Sequence, residues 1–532
     1  MKKLLLVLIV LVTLGFLAFM LMPDLKEISQ RPLVDGFEET YTNNCAACHG
    51  SDLEGSGLGP SLLADLKYGD SLNEIKASIT SGFPQRGMPA WSETLSEQTI
   101  HQMGLYIAER RDGNTMADFK VNRPMNIPKG KVESELHSFT VEVVAEGIDG
   151  LPYAIARLPN GEILVTEKGL GLSIIEANGK IKTIFGTPKV YNDIEKAWGQ
   201  PMGLGWMLDV ALHPNYAENR WIYLSYSERC EDCNDASRGF DPYEMKMGRK
   251  VSMTKLVRGR IKNYRWVDQE VIYEPHIDTY SPSFDLSAGG RIAFDGAGHV
   301  FLSIGHKAEP DHMGIQDLTL PYGKIHRIQD NGQIPTDNPF VDKQGALPTI
   351  WTLGHRNTEG LAFDQSRKTL WQSEMGPRGG DEINLLFSGA NYGWPFHTSG
   401  INYDGSPVDY TDDLGEAMPI EETQTPILDI TPSTAVSSIA FYTGDAFPNW
   451  QNNLLLCNLK SSDFVRLEIS GNRVVHQETL LENLGRFRDV EVGQDGAVYL
   501  LVEHAAGSKI LKMSAVKVKN SSTSAQVYNR PI

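Results

Sequence analysis

A chain of 532 residues is too long for one average domain and has room for two folded units with connectors. A formal net charge of -18 without any basic tract argues against nucleic acid or an anionic lipid surface as a partner. The five cysteines are few, so each one carries weight.

Lys2 and Lys3 precede an uncharged apolar run from Leu4 to Met22, about long enough at 1.5 Å per residue to cross a bilayer. Residues 1–24 are therefore expected to be an uncleaved membrane anchor, with a signal peptide as the alternative. Either way the two lysines hold the N-terminus inside and send the rest across, to a periplasmic location where c-type haem is attached. Cys45, Cys48 and His49 then form CxxCH, in which two thiols bond covalently to haem and the imidazole becomes an axial iron ligand. A CxxC disulfide or a zinc knuckle is the weaker alternative, because no second CxxC stands nearby at zinc-ribbon spacing. Met88, held between Gly87 and Pro89, is the expected second axial ligand. A helix beginning Phe37–Tyr41 leads into the motif, and an amphipathic helix over Ser96–Ile107 closes the unit. Residues 32–112 thus resemble a class I cytochrome c domain.

Residues 113–137 gather Pro124, Pro128, Gly130 and charges, a linker composition. From 138 to 515 the pattern turns to short β-rich runs closed by turn residues. Ala154–Glu167 is strand, Pro-Asn-Gly turn and strand, and similar units recur at Arg291–Gly305, Gly360–Glu374 and Arg488–Leu501. Such recurrence predicts an all-β six-bladed propeller following the small all-α domain, with a pair of β-sandwiches as the alternative. Cys230 and Cys233, without a following histidine, suit a loop disulfide, and Cys457 suits a buried core thiol. Residues 516–532 read as a polar tail.

Three ordered motifs carry a family resemblance: Leu353-Gly354-His355-Arg356-Asn357-Thr358-Glu359-Gly360, Ser373-Glu374-Met375-Gly376-Pro377-Arg378-Gly379-Gly380-Asp381-Glu382, and Gly389-Ala390-Asn391-Tyr392-Gly393-Trp394. From about Leu151 to Lys512 the chain resembles the glucose/sorbosone dehydrogenases, six-bladed propellers that include PQQ-dependent sugar dehydrogenases. PQQ is an acidic quinone, so its pocket needs fixed cations. The resemblance implies that Lys460, Arg486 and Arg488 bind its carboxylates and that Arg356 and Asn357 hydrogen-bond its quinone oxygens. It also implies that backbone carbonyls of Gly376 and Pro377 hold Ca²⁺, with Asp381 and Glu382 supporting that loop. On a strand Arg486 and Arg488 share one face, so two guanidinium forks can converge on one anion.

Two positions depart from the family pattern. The histidine base falls on Ser287, which is no general base at its free pKa, and His276 and His306 are the possible substitutes. The PQQ-contacting glutamine falls on Leu204, with Gln200 nearby. The expected function is a quinohaem oxidoreductase. Its propeller oxidises an aldose or related alcohol and its haem c passes electrons to a respiratory acceptor. The alternatives are a tethered electron-transfer or ligand-binding protein without dehydrogenase activity, and a calcium-dependent lactonase-like hydrolase.

Overall fold

The computed structural model describes residues 37–111, 124–148, 151–193, 195–197, 200–232, 250–307, 314–403 and 405–516. The expected anchor over 1–24, Cys233 and the tail beyond residue 516 lie outside them. Among the described residues no helix is long and apolar enough to cross a membrane.

The first unit is helical: α1 (Phe37–Asn44), α2 (Ala46–His49), α3 (Leu72–Ser81) and α4 (Glu97–Arg111). Ser71 and Glu74 form a reciprocal capping box that starts α3. Helix α4 buries Ile100, Met103, Leu105, Tyr106 and Ile107, and the Tyr106 ring lies 5.3 Å from that of Tyr41 on α1. It runs four residues past the expected Ile107. Arg110 and Arg111 in its last turn complement the helix dipole, and Arg111 Nη1 donates to the carbonyls of Leu62 and Ala64 at 2.6 Å each.

The rest is a ring of antiparallel sheets. β1 (Lys131–Glu133) and β2 (Ser138–Ile148) come first in the chain. Blade 1 follows with β3 (Pro152–Arg157), β4 (Ile163–Glu167), β5 (Gly171–Ile175) and β6 (Ile181–Thr183). A small hairpin, β7 (Glu195–Ala197) and β8 (Gln200–Met202), leads to blade 2, made of β9 (Met207–Leu212), β10 (Ile222–Cys230), β11 (Val251–Lys262) and β12 (Arg265–Tyr273). Blade 3 holds β13 (Gly289–Phe294), β14 (His299–Ile304), β15 (Lys324–Gln329) and β16 (Ile350–Leu353). Blade 4 holds β17 (Thr358–Asp364), β18 (Thr369–Glu374), β19 (Asp381–Leu386) and β20 (Leu428–Ile430). Blade 5 holds β21 (Val436–Phe441), β22 (Leu454–Asn458), β23 (Asp463–Ser470) and β24 (Arg473–Glu482). Blade 6 joins β25 (Arg486–Val492), β26 (Val498–Glu503) and β27 (Ser508–Ala515) to β2 and β1.

The innermost strands β3, β9, β13, β17, β21 and β25 each touch the next, and β25 touches β3, so the circle closes at six blades. Each junction between neighbouring blades carries its own apolar cluster, for example Trp371, Phe441 and Leu467 between blades 4 and 5. The expected linker is shorter than 113–137, because β1 pairs with β2, and Val132 packs with Met125 and Ile127 on the core between blades 5 and 6. Three residues are too few to display an alternating pattern. Cys230 is disulfide-bonded, and Cys457 is fully buried as expected.

Arg291 bolts the centre of the ring. Its Nη1 lies 3.1 Å from Asp489 and 3.6 Å from Asp209, while Nε donates to the Glu359 carbonyl at 2.6 Å. One guanidinium on β13 thereby ties together β25, β9 and β17. Asp489 and Asp209 in turn accept the backbone N–H groups of Ile155 and Ile292.

Candidate functional site

In each blade the start of the innermost strand and the end of the second strand lie at the same rim, because the two run antiparallel. Ser287, Arg356, Asn357 and Arg486 precede or begin innermost strands, while Lys168, His306, Gly376, Lys460 and Glu503 end or follow second strands. The topology therefore gathers them at one mouth, although they span more than three hundred residues of sequence.

Arg356 Nη1 donates to the Gly376 carbonyl at 2.9 Å, and its backbone N–H donates to Glu374. Glu374 also accepts from Gln372 at 2.8 Å and meets His355 Nδ1 at 2.9 Å, a buried network that fixes the strand entrance. Asn357 Nδ2 donates to Glu359 at 3.0 Å, while its buried Oδ1 has no hydrogen-bond partner among the described residues. An orphaned acceptor in the mouth marks a place that a ligand can satisfy.

Arg488 is buried and Arg486 half-buried, so neither lies on a solvated outer face. Their forks converge on one anion, as the strand geometry predicts, but in this structure that anion is Glu503. Arg488 Nη2 donates to it at 2.6 Å and Arg486 Nε lies 3.4 Å away. Burial works to raise the Glu503 carboxyl, yet Arg488, Arg486 and Lys168 outweigh it and hold the group at about 2.

The Gly376 turn is supported as expected by Asp381, which accepts from the Gly376 N–H at 3.0 Å and from Ser433 at 2.9 Å. Asp381 is a buried residue of β19 and not part of an exposed turn, and burial pushes its carboxyl up to about 6 against the pull of these hydrogen bonds. Glu382 faces the other way and bonds Asn384 at 3.0 Å. Burial first, and then the neighbouring carboxylate of Glu374, push it up to about 8. A Cβ on Gly376 would lie 2.2 Å from the Gly379 carbonyl oxygen and 2.4 Å from that of Gly380, so several backbone oxygens crowd this turn and only glycine fits. That donor chemistry suits a hard cation, provided a ligand completes the oxygen set. Among the described residues no cluster of three or more His, Cys, Asp or Glu forms a metal site of its own.

The two substitute histidines part company. His276, after the outermost strand β12, is exposed, and its hydrogen bonds stay within its own turn, with Asp278 and Thr279, so none of them ties it to the cations of the site. His306 is buried there, its N–H donating to the Arg356 carbonyl at 2.9 Å. It adjoins Gly305, where a Cβ would lie 2.2 Å from the Ser287 carbonyl oxygen and 3.2 Å from Asn357 Oδ1. Leu204 is buried in the loop before β9, and Gln200 lies in β8.

Several residues escaped sequence reasoning. Lys168 sits over the Trp206 ring at 4.5 Å, one residue after β4. Burial, reinforced by Arg488, pushes its amine down to about 7. Blade equivalence could have found it, since Lys460 likewise leaves a second strand. Glu109, from the helical unit, is the least expected: its carboxylate meets Arg378 Nη2 at 2.7 Å and Lys460 Nζ at 3.7 Å. No sequence signal separates it from any polar residue of an amphipathic helix.

In the helical unit, His49 Nδ1 lies 2.9 Å from the Pro60 carbonyl, which fixes the ring and leaves Nε2 for a metal. Met88 sits in a tight turn: its N–H and carbonyl pair with Phe83 at 3.2 and 2.8 Å, and Gly87 takes φ +88°. Cys45 and Cys48 are free and half-buried, as covalent haem attachment requires.

Known proteins match the chain in two parts. The Glucose / Sorbosone dehydrogenase family model covers residues 150–512, and that of the cbb3-type cytochrome c oxidase subunit III covers residues 32–107. The aldose sugar dehydrogenase YliI of Escherichia coli is 36% identical over 379 residues, spanning 70% of this chain and 92% of that protein. Quinoprotein glucose dehydrogenase B of Acinetobacter calcoaceticus is 25% identical, spanning 72% and 88%. The crystal structure of the soluble aldose sugar dehydrogenase of Escherichia coli in its apo form superposes with a TM-score of 0.59 at 34% identity, covering 71% of this chain and all of that one.

Proposed function

The chain belongs to the glucose/sorbosone dehydrogenase family, and on that premise we propose that it is a periplasmic, membrane-anchored quinohaem dehydrogenase. The propeller, using PQQ and Ca²⁺, oxidises an aldose or related alcohol, and the fused cytochrome c domain passes the electrons to a respiratory acceptor. The observation that carries this reading is the seating of the cytochrome helix α4 at the same mouth where the propeller's cations converge, with Glu109 buried against Arg378 and Lys460. An electron outlet at the mouth of a sugar-oxidising site needs no other route through the protein.

The residues fit the cofactor. Lys460, Arg486 and Arg488 would hold its carboxylates, Arg356 would donate to its ring oxygens, the orphaned Asn357 Oδ1 would accept from a substrate hydroxyl or water beside them, and the Gly376 and Pro377 carbonyls would hold Ca²⁺. When bound, PQQ supplies the two-electron acceptor and haem c the one-electron outlet. The chain supplies the proton chemistry. Ser287 cannot act as the base, so His306, which follows the Gly305 packed on the Ser287 carbonyl and whose backbone N–H donates to the Arg356 carbonyl, receives the proton of the sugar's C1 hydroxyl on its imidazole. Arg356 holds fixed positive charge where negative charge develops as that proton leaves.

Purified protein loaded with PQQ and Ca²⁺ should reduce its own haem when an aldose is added, followed by absorbance. Arg356→Ala should abolish this. His306→Gln should slow it by about 10²- to 10⁴-fold while leaving PQQ affinity nearly unchanged. Tight PQQ binding with no turnover on aldoses or simple alcohols, or lactone hydrolysis without PQQ, would overturn the reading.

A further inference from the structure

Glu109 lies in the last turn of α4, and its carboxylate is 1% exposed. Arg378 grips it as a fork, with Nη2 at 2.7 Å from one oxygen and Nε at 3.2 Å from the other. The same guanidinium lies 4.1 Å over the ring of Phe37, so two side chains of the cytochrome domain enclose one propeller arginine. Nearby, Gln102 on α4 donates to the Gly405 carbonyl, and Ile401 of the propeller joins the cytochrome's apolar core. The seat is therefore a built interface in which apolar contact, cation–ring contact and a buried ion pair coincide.

Lys460 is held differently. Its Nζ is 3.7 Å from the Glu109 oxygen that also meets Arg378 Nε, beyond hydrogen-bonding distance. Asp381, the other acid near this lysine, spends its oxygens on Gly376, Ser433 and Val436. Lys460 thus faces Glu109 without a hydrogen bond to it, and the hydrogen-bonding positions of Asp381 are already taken, so its ammonium has donors to offer a second anion. The planar arginine fork holds its partner in fixed geometry, whereas the lysine on its flexible stem can turn to another anion.

We propose that Lys460 is shared between two carboxylates, Glu109 of the cytochrome domain and one from the cofactor, so that cofactor loading draws Lys460 from Glu109 while Arg378 keeps its grip on that carboxylate. This rests on the PQQ reading above. Cofactor affinity and the seating of the haem domain then meet at a single amine.

The test is PQQ affinity in the full-length, haem-loaded chain with Ca²⁺ present, measured by quenching of tryptophan fluorescence, with the haem spectrum and far-UV circular dichroism reporting folding. Glu109→Gln removes the competitor and should tighten PQQ binding about three- to tenfold, the coupling expected of a partly shielded charge pair. Arg378→Gln leaves the whole Glu109 charge on Lys460 and should weaken binding by a similar factor. Opposite directions from two halves of one ion pair cannot come from loss of structure, which would weaken both. Lys460→Gln should weaken binding and, combined with Glu109→Gln, should erase the tightening that the latter gives alone. Unchanged or weaker binding in Glu109→Gln, with Lys460→Gln still impaired, would overturn the sharing but keep the cofactor assignment. PQQ affinity insensitive to Lys460→Gln, or no PQQ binding at all, would overturn the assignment beneath it.

Discussion

Lys168 shows at the scale of one residue how the mouth trades stability for chemistry. Unfolded, its amine titrates near 10.5; folded, burial lowers it to about 7. Between these values the unfolded chain binds the extra proton, so the stability contributed at this position rises with pH from about 7 to about 10.5, and its cost is greatest below 7. Lys168→Met should therefore raise the melting temperature at pH 6.5, with each pH unit in that window worth up to about 1.4 kcal/mol, and the gain should shrink towards pH 10. A gain independent of pH would place the effect in packing instead. At the base position of the family pattern, Ser287→His should restore haem reduction to the His306→Gln variant, since the Ser287 carbonyl packs on Gly305, which in turn lies beside Asn357. The cations of this site were legible from the resemblance, Arg356 inside an ordered motif and Lys460, Arg486 and Arg488 at matching positions downstream of the motifs, and all four reach the mouth. Two of their acidic partners were not, since Glu503 becomes meaningful only when distant strand ends meet and Glu109 only when a helix of the other unit packs on them.

Among elements, the turn that carries Ser287 depends on a buried pair. Asp285 and Lys307 are fully buried and bonded to each other, and Asp285 also accepts from the N–H groups of Gly205 and Trp206 at 2.6 and 3.0 Å. This one carboxylate holds the loop before β9 against the turn before β13, beneath the ring on which Lys168 rests. Lys307→Met should cost about 3–5 kcal/mol in urea unfolding, because it leaves a buried carboxylate uncompensated, and adding Asp285→Asn should recover much of that loss. Recurring strand–turn–strand units made the hairpins β3–β4, β13–β14, β17–β18 and β25–β26 readable in the sequence. The strand β1 was not readable, because its three residues acquire strand character only from pairing with β2.

In the whole molecule, the ring is closed by interleaving its two ends: β27, from the C-terminal side, lies between β26 and the early strand β2. Leu511 at the centre of β27 is fully buried and faces Val143 and Leu500 across the sheet. Leu511→Ala should destabilise the propeller by about 2–5 kcal/mol while leaving a single cooperative transition in circular dichroism, with the haem absorbance band reporting the cytochrome domain separately. Separate loss of blade 6 before the other blades would contradict closure by this strand. The propeller was legible in its recurring strand–turn–strand units, whereas the seating of one domain on the other had no trace in composition or spacing. The Arg291 bolt gives the closed ring a further meaning. It makes four of the six blades share one cation, so their inner edges cannot shift independently. Loss of this cation should therefore loosen blades 2, 4 and 6 together with blade 3, a coupling between strands that lie far apart in the chain.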